Sequence, residues 1–381
     1  MANEADHDEV VVRSATTPSE LVGDDDLIVP GRRRRLPPWL IVASIGVLAV
    51  AVVALTVTKH AGHKATLASP AASATVNSAQ PGTLVDRTPL QLGPGSDLAL
   101  TEDGTLFVLG PNRLTRTVRG GSRPEQTTSA LPAGAAFLAV DATAGRVWVV
   151  GQDTNEIDGY DLESFARISR THLRGNVQIH AIAALNRQLF LATTTGIFEL
   201  AAPDSMPRLL PGFSAEVQTI TADPPQDQML AVAADHSLLQ IRAGRVYVAP
   251  RSPSEVLPDS LEVTEPGIWA VGFGIAAGGG PRIARVSPSS LALIPVGPGD
   301  RDAPQGTDGW QGATVFWVRH VYSATVICYD ARTGIPTASY PDLLAAGDPN
   351  PHAKIVSQSG AAYAISGHDV FQLKTTQACP G

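Results

Sequence analysis

Residues 145–151 read GRVWVVG: a glycine turn, then apolar residues on either side of Trp148 until a second glycine stops them. A short run rich in Val and aromatic side chains, bounded by glycine, makes a buried strand rather than a helix. The pattern returns six more times, as GTLFVLG around Phe107, RQLFLAT around Phe190, DQMLAVA around Leu230, PGIWAVG around Trp269, ATVFWVR around Phe316 and AAYAISG around Tyr363. Successive centres lie about 39–47 residues apart, the period of a four-stranded propeller blade. The spacing predicts an all-β, seven-bladed β-propeller over residues 84–381.

The flanks of each copy agree. A strand of small side chains precedes it, as in Leu98-Ala99-Leu100, Phe137–Val140 and His180–Ala183, and strands gathered round a narrow channel need small residues there. A hairpin and a third strand follow, such as Ile157–Leu162 or Val326–Asp330, and a more polar fourth strand, such as Phe165–Thr171 or Arg245–Ala249. The last copy supplies three strands only. Its fourth is expected from the start of the repeat region, within Thr83–Leu92, so that the ring closes and neither end leaves an open edge. Pro89 cannot donate a ladder hydrogen bond, which suits an outermost strand.

Two blades carry a resemblance to a known family. RVWVVGQDTNEIDGYDLESFARISRT, Arg146–Thr171, resembles one repeat of the bacterial YVTN-type, WD40-like β-propellers, and ATVICYDARTGIPTASY, Ala324–Tyr340, is similar to the same unit. The resemblance implies a propeller fold and a tendency toward extracytoplasmic binding. It implies no particular functional residues, and a fold does not by itself define a function.

Composition supports many short strands: 35 Gly and 30 Pro stand beside only 5% aromatic residues, with 44% hydrophobic residues to fill a core. Net charge is −8 at pH 7, and from Leu84 onward 21 Lys and Arg face 28 Asp and Glu. That acidic balance argues against nucleic acid as a partner. The two cysteines, Cys328 and Cys379, fall on the third strand of the sixth blade and just after the third strand of the seventh. A disulfide between them is expected if the domain lies outside the membrane.

The N-terminal part decides that point. WLIVASIGVLAVAVVALTVT, Trp39–Thr58, is an uncharged apolar run set behind Arg32, Arg33, Arg34 and Arg35, long enough for one membrane-spanning helix. Clustered arginines keep their side cytoplasmic. The expected organisation is a disordered cytoplasmic tail at 1–35, a transmembrane helix at 36–58, a flexible Ala/Ser/Thr/Pro linker at 59–83 and an extracellular propeller at 84–381. An apolar run this long with so long a leader reads as an uncleaved signal-anchor of a single-pass protein rather than a cleaved signal peptide.

Nucleophile-elbow, phosphate-loop and HExxH zinc motifs are absent. Asp153, Asn155, Asp158 and Gly159 have the look of a calcium loop, but the spacing fails at Ile157, Asp158 and Ser164. No cofactor and no metal are expected. The hairpins between second and third strands should share one face of the ring. They carry Asp235 and His236 in the fourth blade, Arg319, His320 and Tyr322 in the sixth, and His368 and Asp369 in the seventh. The fifth blade contributes the longest of these, Gly272–Arg282, and His180, at the start of a first strand, should open onto the same face.

The expected function is a binding or scaffold module for an envelope protein or glycan. The alternatives are a propeller-type lyase or lactonase with its site at the channel mouth, and a transmembrane sensor signalling through the tail.

Overall fold

The computed structural model describes residues 87–117, 121, 123–250, 256–274, 281–296, 309–319, 325–340, 343, 354–358, 360–376 and 379. The tail, the apolar run and the linker lie outside the described residues. Among the described residues no helix is long and apolar enough to cross a membrane.

The fold is a seven-bladed β-propeller. Strand β1 (Arg87–Pro89) belongs to the last blade. Blade 1 is β2 (Asp97–Leu100), β3 (Leu106–Gly110), β4 (Arg113–Thr117) and β5 (Gln126–Thr128), and blade 2 is β6 (Ala135–Asp141), β7 (Arg146–Gly151), β8 (Glu156–Asp161) and β9 (Arg167–His172). Blade 3 comprises β10 (Ile179–Leu185), β11 (Gln188–Thr193), β12 (Gly196–Leu200) and β13 (Arg208–Leu209). Blade 4 comprises β14 (Val217–Asp223), β15 (Gln228–Ala233), β16 (Leu238–Arg242) and β17 (Arg245–Val248). In blade 5 these are β18 (Val256–Thr264), β19 (Gly267–Gly274), β20 (Pro281–Val286) and β21 (Leu293–Pro295). Blade 6 follows with β22 (Gly309–Gln311), β23 (Val315–Arg319), β24 (Val326–Asp330) and β25 (Pro336–Tyr340). Blade 7 joins β26 (Lys354–Gln358), β27 (Ala361–Ser366) and β28 (Asp369–Leu373) to β1 in the order β1-β28-β27-β26.

The repeated apolar motif is the second strand of each blade, and its alternation has a direct reading. Trp148 and Val150 face blade 3, whereas Val147 and Val149 face blade 1. Both faces of a second strand are therefore covered, which is why its sequence is almost continuously apolar. Seven hydrophobic clusters result, one at each junction between neighbouring blades, including one between blades 7 and 1. The large central residues fasten these junctions. Trp269 stacks on Phe316 of the next blade with centroids 5.1 Å apart and donates Nε1–H to Ala331 O at 2.8 Å. Trp317 Nε1–H reaches Ser357 Oγ, one blade further, at 3.0 Å.

The aspartates that end the two family-like third strands fold the next turn. Asp161 Oδ1 accepts from the N–H groups of Glu163 and Ser164 and from Ser164 Oγ. Asp330 Oδ1 does the same with Arg332, Thr333 and Thr333 Oγ1. Each turn closes on a residue of positive φ, Phe165 at 54° and Gly334 at 69°. In blade 2 this corrects the expected fourth strand. Phe165 ends the turn instead of starting the strand, and β9 begins two residues later at Arg167.

Ring closure follows the expected pairing over a shorter span. Within Thr83–Leu92 the ladder is β1, with Arg87 opposite Leu373, Thr88 opposite Gln372 and Pro89 opposite Phe371. Pro89 takes the outermost position. Leu90 and Leu92 then turn inward and are buried between blades 7 and 1. Cys328 and Cys379 are joined by a disulfide with Cα atoms 6.2 Å apart, which fixes the C-terminus to the third strand of blade 6.

Candidate binding rim at the channel mouth

First strands line the channel, and the rim they form on the hairpin side has a shared irregularity. In blades 2 to 5 the pairing of first and second strands slips by one residue at its start, between Ala135 and Phe137, Ile179 and Ala181, Val217 and Thr219, and Pro258 and Ser260. The extra residue of each bulge is Ala136, His180, Gln218 or Asp259. A bulge re-aims the side chain it inserts and is common beside functional sites.

Two of these residues pair with the neighbouring blade. His180 Nε2 lies 3.4 Å from Glu216 Oε1, which precedes β14, an ion-pair distance without the alignment of a hydrogen bond. His236, in the β15–β16 hairpin, places Nδ1 3.1 Å from both Pro258 O and Asp259 Oδ1 of blade 5. Two acceptors face that nitrogen, so it carries a proton and donates toward them. His236 has a positive φ of 64°, the conformation that swings its side chain across the junction. Gln218 is exposed between the two pairs.

Two buried hydroxyls complete the sector. Thr219 Oγ1 and Ser260 Oγ follow the bulges of blades 4 and 5, and neither has a hydrogen-bond partner among the described residues. Ser260 is only 9% exposed. A buried hydroxyl left unpaired costs about 1–3 kcal/mol.

The remaining sequence candidates are placed elsewhere. Asp235 accepts the Ser237 N–H and shapes the hairpin that holds His236. Arg319 ends β23 and is 7% exposed, whereas His320 and Tyr322 lie outside the described residues. His368 and Asp369 are exposed at the β27–β28 hairpin, across the ring from blades 3 to 5, where His368 O accepts the Gly95 N–H of blade 1. Among the described candidates, only His180, Asp235 and His236 share one sector. Among the described residues no three His, Cys, Asp or Glu side chains are grouped to hold a metal. The resemblance to a calcium loop also has a structural answer, because Asp158 is fully buried and both its oxygens are bound by Arg170 at 2.7 Å.

Glu216, Gln218, Asp259, Thr219 and Ser260 were not singled out by sequence. Their distance from the second-strand motif is not constant. His180 and Asp259 stand ten residues before Phe190 and Trp269, whereas Gln218 stands twelve before Leu230. Blade 4 turns between its first strands through a longer loop holding the 3-10 turn Pro224–Gln226, and blade 3 uses only Asn186 and Arg187. A bulge leaves no mark of its own in the side-chain pattern.

Among solved structures, the chain is similar to hydrazine synthase of Kuenenia stuttgartiensis, with TM-score 0.59 and 10% identity over 76% of this chain and 97% of that one. The β-propeller domain of Cps50 (Swd1) from Myceliophteria thermophila also has TM-score 0.59 and 10% identity, over 76% of this chain and 100% of that one. BamB from Moraxella catarrhalis matches with TM-score 0.46 and 13% identity over 74% of this chain and 82% of that one. The first two likenesses show the propeller architecture alone. No family model and no curated protein matches the sequence.

Proposed function

We propose that the chain is a membrane-anchored binding module, displayed outside the cytoplasm, that recognises an envelope partner through the hairpin face of its propeller. The observation that carries this reading is the disulfide between Cys328 and Cys379 in a chain that also carries Trp39–Thr58 behind four arginines. Disulfides persist in oxidising compartments, and the arginine cluster directs the C-terminal bulk to that side. Two independent features thus support one address. The rim of blades 3 to 5 supports a binding role, because its polar groups are held in pairs across blade junctions.

Protease treatment of intact cells producing the full chain tests the address. Digestion of the mass beyond Leu84 with protection of the tail is the expected result. Protection of the propeller with loss of the tail overturns the reading.

A further inference from the structure

Charge is sorted by position in this propeller. The seven outer strands, β1, β5, β9, β13, β17, β21 and β25, carry five arginines and no Asp or Glu. From Leu84 onward the chain holds 28 Asp and Glu against 21 Lys and Arg. Among the described residues, the seven large apolar side chains that stand exposed all lie on an outer strand or within two residues of one. Four of them, Met206, Leu209, Tyr247 and Val248, belong to blades 3 and 4.

These four meet at one junction. The Val246 N–H donates to Pro211 O at 2.9 Å, and a Cβ on Gly244 would stand 3.4 Å from Arg208 Nη2. Strand β17 covers only about 10 Å from Arg245 to Val248. A groove of about 490 Å³ lined by residues 209–215 opens beside it. Arg208 is 66% exposed while it pairs with buried Glu199 at 2.7 Å, and Arg242 and Arg245 are exposed at the turn between β16 and β17. With exposed Asp204 counted, three arginines face two carboxylates, one of them buried.

We propose that this edge of blades 3 and 4 docks on an anionic phospholipid surface. The inference rests on the reading of the chain as membrane-anchored and names a second contact with that membrane. The arginines draw anionic headgroups, while Met206, Leu209, Tyr247 and Val248 enter the boundary with the acyl chains. An acidic domain is repelled by such a surface wherever its carboxylates lead, so the sorted charge sets which side of the ring meets it. The tether is long enough. Residues 59–86, 28 in all, lie between the apolar run and β1 and span about 90 Å at full extension. A folded domain of this size is roughly 50 Å across, so the side of the ring away from β1 stays within reach.

The test uses the full chain in nanodiscs of phosphatidylcholine alone or of an equal mixture with phosphatidylglycerol, and reads amide hydrogen exchange. Exchange at 206–215 and 245–248 is expected to slow by at least about tenfold in the anionic discs. That protection should fall as salt rises. Arg245→Gln should lose about fivefold of it, the worth of one arginine near an anionic surface. Tyr247→Asp, at an exposed position, should lose at least as much, and exchange in the buried strand β15 reports that both variants stay folded. Arg332→Gln, an exposed arginine of blade 6, should leave protection unchanged. Equal exchange in the two discs, full protection in Arg245→Gln and Tyr247→Asp, or an equal loss in Arg332→Gln would each overturn the proposal. Protection by soluble polyglutamate in neutral discs, with none from the anionic lipid, would assign the edge to an acidic protein and overturn it too. Insertion into neutral discs is read separately. A chain that inserts there without anionic protection keeps its anchor and loses the docking edge. A chain that fails to insert yet is protected by anionic discs keeps the edge and ends the anchored reading.

Discussion

Lys354 Nζ lies 2.5 Å from Asp97 Oδ1, an ion pair between corresponding positions on the first strands of the last and first blades. The same carboxylate accepts the Leu98 N–H through Oδ1 and, through Oδ2, the Leu138 N–H of blade 2 at 2.8 Å. Asp97 therefore serves three blades and Lys354 one contact. Asp97→Asn turns an amide donor toward a backbone N–H and should cost about 1–3 kcal/mol. Lys354→Met gives up a partly exposed pair worth about 0–1 kcal/mol. Urea unfolding of both variants checks the order, and a larger loss from Lys354→Met would mean that the ion pair, rather than the backbone contacts, holds the seam.

The start of the propeller should matter more than its three paired residues suggest. A chain beginning at Gly93 loses β1, the Arg87 guanidinium over the Phe371 ring at 5.0 Å and the buried Leu90 and Leu92. Removing each buried leucine alone is worth about 2–5 kcal/mol. Such a chain should melt well below one beginning at Thr83. Equal melting temperatures would show that blade 7 closes without the N-terminal segment.

That seam shows how far the sequence could be read. The blade count came from Phe107, Trp148 and their counterparts, because a strand buried on both faces writes its period plainly in apolar side chains. The closing segment was legible from a missing fourth strand and from Pro89. The inward turn of Leu90 and Leu92 was not, since two leucines in an outer strand look the same as two leucines leaving it. The rim was harder. His180 and His236 were visible as polar residues at strand starts and hairpins, but Glu216 and Asp259 become their partners only through contacts between blades, and no local pattern encodes those.

The disulfide between Cys328 and Cys379 closes a loop of 51 residues, and the chain-entropy relation gives about 4 kcal/mol for a loop of that size. Replacing both cysteines by serine should lower stability by that order while leaving the blades formed. Mass spectrometry of non-reduced protein should find no free thiol. Two free thiols in protein prepared from its native compartment would overturn the extracytoplasmic reading together with this estimate.

Acid should loosen the turns held by aspartate. Burial pushes the Asp330 carboxyl up, but hydrogen bonds from the Thr333 side chain and backbone and from Arg332 outweigh it, and its pKa falls below the ordinary 3.8. Hydrogen bonds from Ser164 lower Asp161, and those from Thr101 and Thr105 lower Asp103. A pKa depressed by folding means stability that is present above the unfolded value, about 3.9, and lost as pH falls through the folded one. Asp330→Asn keeps an acceptor oxygen and removes the titration, so its stability should depend less on pH below about 4. Thermal melts across that range measure the difference, and parallel curves for the two proteins would assign acid sensitivity to other groups.

Phe165 and Gly334 close equivalent turns in blades 2 and 6 with φ of 54° and 69°, yet they are not interchangeable. Phe165 is 4% exposed, 6.0 Å from the Phe107 ring and beneath the Arg116 guanidinium at 5.6 Å, which also donates to Leu162 O at 2.8 Å. A non-glycine residue in the left-handed region costs roughly 1–2 kcal/mol, whereas stripping a buried Phe to a small residue costs about 3–5 kcal/mol. Packing wins, and Phe165→Gly should destabilise blade 2 by about 1–4 kcal/mol despite the relief of strain. At Gly334 the balance reverses. A Cβ there would stand 2.5 Å from Trp269 Cη2, inside the aromatic junction of blades 5 and 6. Gly334→Ala should therefore be destabilising as well, by strain and collision together. Urea unfolding of the two variants tests the pair: a neutral Phe165→Gly would show that backbone strain, not the ring's packing, governs the blade 2 turn.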